Sequence, residues 1–154
     1  MKRPDTPIDM FLIALARLEE VLETPIVPGE LVDWLHEVTS CWELVETHYL
    51  AGFRDRHRQM LREIVKQDLG LLVRVEHLRG NAQRIEHGRD TFTRLLGALA
   101  VHADETLENQ PEIDRRIKRL IDRGLGFVIE ARKQEKAVLT WHLEAFQRDR
   151  GIAD

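Results

Sequence analysis

Apolar residues recur every three or four positions along most of the chain, a spacing that is typical of amphipathic α-helices. No stretch of the sequence shows the sustained alternation of apolar and polar residues expected of a half-buried strand. The pattern predicts four helices, over about 7–23, 30–55, 69–103 and 111–149, and a short connecting helix between the second and the third. We therefore expect an all-α protein, an up-down-up-down four-helix bundle that occupies residues 1–154 as a single domain.

The helix ends are marked by capping residues, prolines and polar runs. Thr6 can cap the first helix, and the two prolines in the run 24–29 end it. The polar run 54–58 predicts a corner between the second helix and the connecting helix, and Asp68 can cap the third helix. The third helix is either continuous or kinked at His87-Gly88. Glycine weakens a helix by about 1 kcal/mol relative to alanine, so the sequence leaves both alternatives.

The last helix carries the longest apolar stripe, and two polar residues, Glu135 and His142, interrupt it. Its apolar positions are Ile113, Ile117, Leu120, Ile121, Gly124, Val128, Ala131, Val138, Leu139, Ala145 and Phe146. Seven residues separate Glu135 from His142, which is about 10 Å along the axis of a helix, so the two cannot bind one ion together. If the third and last helices are aligned as an antiparallel hairpin, Arg79 is predicted to lie beside Glu135. A structural salt bridge is therefore the alternative to a functional carboxylate.

Charge and cysteine content exclude several classes of protein. The 27 acidic and 23 basic residues give a net charge of −4 and alternate along the chain, so nucleic acid is not expected as a partner. The single cysteine, Cys41, excludes an internal disulfide and a multi-cysteine metal site. Charged residues interrupt the N-terminal apolar run, so the sequence predicts neither a secretory signal nor a membrane span, and the expected location is cytoplasmic.

Candidate metal ligands can be tested by their spacing, because two ligands from one helix must lie one turn apart to reach the same ion. No Glu-x-x-His or His-x-x-x-His/Glu pair occurs on an apolar stripe. The candidates are therefore single residues on separate turns, namely His48, Glu135 and His142. Together with Glu86 they could line a core cavity for a metal or a small molecule. The alternative is that they are polar residues tolerated at the edge of the core.

Three stretches of the chain carry a resemblance to a known family. They are ARLEEVLE at 16–23 with the proline that follows, LREIV at 61–65 together with LLVRVEHLR at 71–79, and LEAFQRDRG at 143–151. With the order of the helices, they resemble a branch of the hemerythrin-like (HHE cation-binding) four-helix-bundle proteins. The resemblance implies a left-handed four-helix bundle. For ligand-bearing members it also implies a histidine/carboxylate di-iron site with oxygen- or metal-linked roles.

The sequence departs from the ligand pattern of that family. Asn81-Ala82 stands where the third helix would carry a Glu-His pair, and Gln134 stands where the last helix would carry a core histidine. The first helix has no histidine, and only His48 falls near a ligand position. The resemblance therefore implies a divergent member in which most metal ligands are missing.

These observations lead to two hypotheses about function. The first is a non-catalytic interaction or regulatory module without an intact di-iron site and without a cofactor, its partner being another protein or a second copy of the chain. The alternative is a protein that uses core His and Glu residues to bind a small ligand, or iron or another divalent metal. An enzyme has no positive evidence, because Cys41 and His48 lack a third group that would orient them for nucleophilic catalysis.

Overall fold

The computed structural model describes residues 6–103 and 110–152, the last five of these for their backbone only. Five α-helices account for most of these residues: α1 (Pro7–Glu23), α2 (Leu31–Tyr49), α3 (Arg56–Gln67), α4 (Leu72–His102) and α5 (Gln110–Ile152). A π-helix, Leu50–Asp55, joins α2 to α3, and a 3₁₀ helix, Leu69–Leu71, leads into α4. No strand occurs in the described ranges, and the all-α prediction is confirmed.

Several helix ends follow from local chemistry, as the sequence predicts. The Thr6 hydroxyl oxygen accepts a hydrogen bond of 3.2 Å from the backbone N–H of Asp9, which caps α1. Gly29 adopts a φ of 87° in the turn between α1 and α2, a conformation that side chains disfavour. The Asp68 carboxylate accepts a hydrogen bond of 2.9 Å from the backbone N–H of Gly70, so the predicted cap before the third helix is confirmed.

The predicted corner at residues 54–58 is wrong, because the chain stays helical there and passes from the π-helix directly into α3. Phe53, His57 and Leu61 are spaced four residues apart and are all buried. Their side chains therefore hold this polar run against the rest of the molecule. The helix does not break at His87-Gly88, since α4 continues through both residues. Most of the predicted loop between the last two helices, residues 104–109, lies outside the described residues.

Buried apolar side chains form two clusters. The larger one joins α1, α2, α4 and α5, and it includes Trp42, whose ring centroid lies 4.5 Å from that of Phe92 and 5.2 Å from that of Phe127. The smaller one joins α3, the start of α4 and the second half of α5 around Ile64 and Val138. This packing is consistent with a helical bundle.

The buried face of α5 changes along its length. Its first half packs against α1 and α4, and its second half packs against α3 and the start of α4. Leu139 and Phe146, which the sequence predicts on the buried stripe, are therefore 41% and 38% exposed. Phe127 and Gln134 are buried instead. Within the described part of the chain, no helix combines the length and apolar character needed to cross a membrane.

Candidate ligand-binding site

Glu135 of α5 lies at the centre of a cluster of charged and polar side chains from α3. Arg56 Nη1 lies 2.7 Å from each of the two carboxylate oxygens of Glu135. His57 Nε2 is in close hydrogen-bond contact with Oε2 of the same carboxylate. The predicted neighbour of Glu135 was Arg79, and that prediction is wrong, because Arg79 pairs with Glu76 on its own helix. We refer to Arg56, His57 and Glu135 as the Glu135 cluster.

The Glu135 cluster keeps its carboxylate ionised. Burial alone raises the pKa of Glu135, but the hydrogen bonds from His57 and Arg56 outweigh burial and hold this pKa below its ordinary value of 4.5. An ionised carboxylate can only accept hydrogen bonds, so the hydrogen between the two groups belongs to His57 Nε2. The orientation of the imidazole ring is therefore set by Glu135.

The other ring nitrogen of His57 has no partner. The His57 side chain is 3% exposed, and its Nδ1 is buried without a hydrogen bond to any described residue. The ring packs against Phe53, with 4.2 Å between the ring centroids. A buried polar atom without a partner costs about 1–3 kcal/mol, so a group that formed a hydrogen bond with Nδ1 would stabilise this arrangement.

A cavity of about 310 Å³ adjoins His57. It lies between the end of α2, the π-helix and α3 on one side and α4 on the other, and we call it the α3–α4 cavity. Tyr49, Phe53, Leu61 and Ala82 supply its apolar wall. Apolar walls with a few converging polar groups are typical of small-molecule sites.

The polar lining of the α3–α4 cavity is mostly basic. Arg54, Arg58, Arg62 and Arg79 line it, and Glu86 is the one carboxylate among its lining residues. Arg54 is paired with Asp55 at 3.3 Å and with Glu86 at 3.6 Å. In contrast, neither Arg58 nor Arg62 has an ion pair with any described residue. The cavity therefore presents unneutralised positive charge.

Tyr49 adds a neutral hydroxyl to the cavity wall. Burial, together with the negative charge of Glu86, raises the pKa of Tyr49 to about 12. The guanidinium of Arg89 lies over the Tyr49 ring, 4.5 Å from its centroid. The hydroxyl therefore keeps its proton at neutral pH.

The three metal candidates do not come together. His142 Nε2 lies 2.7 Å from the Glu63 carboxylate, seven residues along both helices from the contact between Arg56 and Glu135. No hydrogen bond or ion pair joins His48 to Glu135 or to His142 within the described ranges. Of the residues that the sequence suggests for a core cavity, only Glu86 lines the α3–α4 cavity.

In the described part of the chain, the core positions compared with a di-iron centre make other contacts. Gln134, at the position where a core histidine is expected, is 3% exposed, and its Nε2 donates a hydrogen bond of 2.8 Å to the carbonyl oxygen of Leu78. Both oxygens of Glu135 already contact the cation of Arg56. In residues 6–103 and 110–152, no three His, Cys, Asp or Glu side chains are grouped so that they could hold a metal ion.

Sequence reasoning missed His57, because it assigned the residue to a polar corner. A usable signal is nevertheless present in the sequence. His57 lies four residues after Phe53 and four before Leu61, so a helix that continues through residue 57 would bury it on the same face. Compared with known proteins, the chain matches no family model, no curated protein and no solved structure.

Proposed function

We propose that this chain is a non-catalytic helical module that binds a small molecule in the α3–α4 cavity. The observation that carries the proposal is His57, which lines a cavity with an aromatic wall and has a buried Nδ1 without a partner among the described residues. Glu135 orients the ring, and Phe53 packs against it, so the unpartnered nitrogen is held in a fixed position. The proposed role of ligand binding in this cavity is regulation or sensing.

A groove with a larger volume, about 870 Å³, is a weaker candidate for the same role. It lies between the turn after α1 and the start of α5, and its lining includes Ile26, Leu31 and Ile117. No buried side-chain atom without a partner is found there among the described residues. The α3–α4 cavity is preferred because it combines apolar walls with a polar group that lacks a partner.

The contacts of the polar core residues bear on the resemblance to the hemerythrin-like family. We propose a hemerythrin-like bundle in which the polar residues of the core are engaged with one another rather than with a metal. The contacts of Glu135 with Arg56 and His57, and of Gln134 with Leu78, support this proposal. A divalent cation would have to displace Arg56 from the carboxylate of Glu135, which is unfavourable next to the further arginines of the cavity.

The proposed topology is up-down-up-down. Trp42 contacts Thr93, whereas Arg54, further along the chain, pairs with Glu86, so this segment and α4 run in opposite directions. Gln134 likewise contacts Leu78, whereas Trp141 contacts Arg74, which supports antiparallel α4 and α5. A protein partner, or a homodimer, stays a prediction.

The proposed function can be tested with a small neutral aromatic probe. We expect benzyl alcohol to shift backbone amide resonances in ¹H–¹⁵N spectra, saturably, around residues 49–62 and 79–86. Ala82→Phe fills the α3–α4 cavity and should abolish these shifts. Ala98→Phe is the matched control, because Ala98 is exposed on the same helix and does not line the cavity. Saturable shifts that persist in Ala82→Phe would contradict the proposed function.

A further inference from the structure

The α3–α4 cavity has a chemical bias that its apolar wall does not explain. Four arginines line it, and two of them, Arg58 and Arg62, have no carboxylate within ion-pair distance among the described residues. The chain as a whole carries a net charge of −4, so this concentration of positive charge is local and runs against the overall balance. Guanidinium groups bind carboxylates and phosphates with two parallel hydrogen bonds.

We propose that the ligand of the α3–α4 cavity is a small organic anion, with a carboxylate or phosphate group that contacts His57 Nδ1 and the guanidinium of Arg58 and an aromatic or apolar body that lies against Phe53 and Leu61. This inference rests on the proposed function, since it specifies the ligand of the same site. Surface arginines alone would not carry it. The independent observation is that His57, a residue of the cavity lining, has a buried Nδ1 without a partner among the described residues.

The two neighbours of the His57 ring in the proposed complex fix which hydrogen bonds each of its nitrogens makes. Because Nε2 already donates its hydrogen to Glu135, Nδ1 can donate to an anion only when the ring is an imidazolium. The ring then lies between two negative groups, the Glu135 carboxylate and the bound anion. Each of its nitrogens makes a charge-assisted hydrogen bond in this arrangement. Tyr49, whose hydroxyl keeps its proton at neutral pH, is a further donor on the cavity wall.

Three probes of similar size and different charge test the charge of the ligand. Sodium benzoate, benzyl alcohol and benzylamine are titrated into the full chain at low ionic strength and followed by ¹H–¹⁵N spectra. We expect benzoate to bind with a dissociation constant of about 1 mM, roughly tenfold more tightly than benzyl alcohol. Benzylamine should bind more weakly than either. Raising the salt concentration should weaken benzoate and leave benzyl alcohol unchanged.

Variants of the cavity residues test which side chains bind the carboxylate of benzoate. His57→Gln keeps a donor at the position of Nε2 for Glu135 and removes Nδ1, so it should weaken benzoate about tenfold with little effect on benzyl alcohol. Arg58 is exposed in α3, so Arg58→Gln should leave folding intact. It should weaken the binding of benzoate about threefold or more. Arg94→Gln is the matched control, because Arg94 is exposed and lies outside the cavity lining.

The outcomes separate the two proposals. If benzoate and benzyl alcohol bind equally well at the cavity, or if neither His57→Gln nor Arg58→Gln weakens benzoate, the anion inference is overturned while the proposed function stands. If none of the three probes causes a saturable shift at the cavity, both are overturned. Selective loss of benzoate in the two cavity variants, with Arg94→Gln unchanged, supports the anionic ligand.

Discussion

Glu135→Gln is the substitution that tests most directly how α3 and α5 are held together. The Glu135 side chain is 12% exposed, and it contacts Arg56 through both oxygens and His57 through one of them. Glutamine has nearly the same shape but carries no charge, and its amide N–H₂ would face the Arg56 guanidinium. The substitution therefore removes the attraction and leaves the rest of the packing unchanged.

The size of the effect follows from burial. A hydrogen bond to a charged group contributes about 1.5–3 kcal/mol, and breaking a fully buried ion pair costs about 3–5 kcal/mol. Arg56 is 28% exposed and can recover part of its hydration, so the loss should lie at the low end of these ranges. We expect Glu135→Gln to lower the free energy of unfolding by about 2 kcal/mol, which for a chain of this size corresponds to a fall in Tm of roughly 4–8 °C.

The same substitution has a predictable pH dependence. The folded-state pKa of Glu135 is lowered below its ordinary value of 4.5, so the stabilisation is complete above that pH and is lost as the pH falls through the folded-state pKa. The difference in unfolding free energy between the unmodified protein and Glu135→Gln should therefore be constant near neutral pH and shrink below about pH 4.5. Urea unfolding followed by circular dichroism at several pH values measures this difference.

The matched control is Glu130→Gln, which removes the same charge from an exposed position of α5 that has no ion pair with any described residue. It should change the unfolding free energy by no more than about 0.5 kcal/mol. Glu135→Gln destabilising by no more than Glu130→Gln would refute the argument. So would a difference that grows as the pH falls below 4.5.

Two further predictions concern backbone approach and buried polarity. Gly52→Ala should lower the unfolding free energy by about 1–3 kcal/mol in urea titrations, because a Cβ at this position would clash with the backbone carbonyl of Pro7. Gln134→Glu should destabilise the protein more than Gln134→Leu at pH 7, because it places a buried carboxylate against the carbonyl oxygen of Leu78. The difference in unfolding free energy between the two variants should shrink in acid, because the new carboxyl group then gains a proton that it can donate to this oxygen.

Each of these has a comparison that could contradict it. Gly97→Ala makes the same chemical change in α4 where a Cβ meets nothing within 4 Å, so it should stabilise by up to about 1 kcal/mol. Equal effects of Gly52→Ala and Gly97→Ala would show that the approach of the π-helix to α1 is not tight. For residue 134, a Gln134→Leu variant as unstable as Gln134→Glu at pH 7 would mean that lost packing, rather than the buried charge, dominates.

Much of the helical structure could be predicted because its signals are local. The three- and four-residue spacing of apolar side chains, the Thr6 cap and the Asp68 cap each act within one or two turns, and the structure has them where the sequence predicts them. The error at residues 54–58 has the same origin. A run of charged residues was taken for a corner, although Phe53 and Leu61 on either side bury the face that includes His57.

The candidate site depends on contacts that are far apart in the sequence. Arg56 and Glu135 are separated by 79 positions, so their meeting depends on how α3 and α5 are rotated and shifted against each other. One residue turns a helix by about 100°, and the π-helix before α3 changes the phase of everything that follows it. A prediction that assumes uninterrupted α-helix therefore cannot say which face of α3 is turned towards α5.

The amino-acid pattern alone is therefore enough to predict that the chain is helical, where most of its helices begin and end, and that Glu135 and His142 belong to separate turns. The packing of the helices in three dimensions is what pairs Glu135 with Arg56 and His57 rather than with Arg79, and it places a buried His57 in the lining of a basic cavity. The physical reason is that periodicity reports which face of a helix is apolar, whereas the partner of a polar side chain is chosen by the packing of all the helices together.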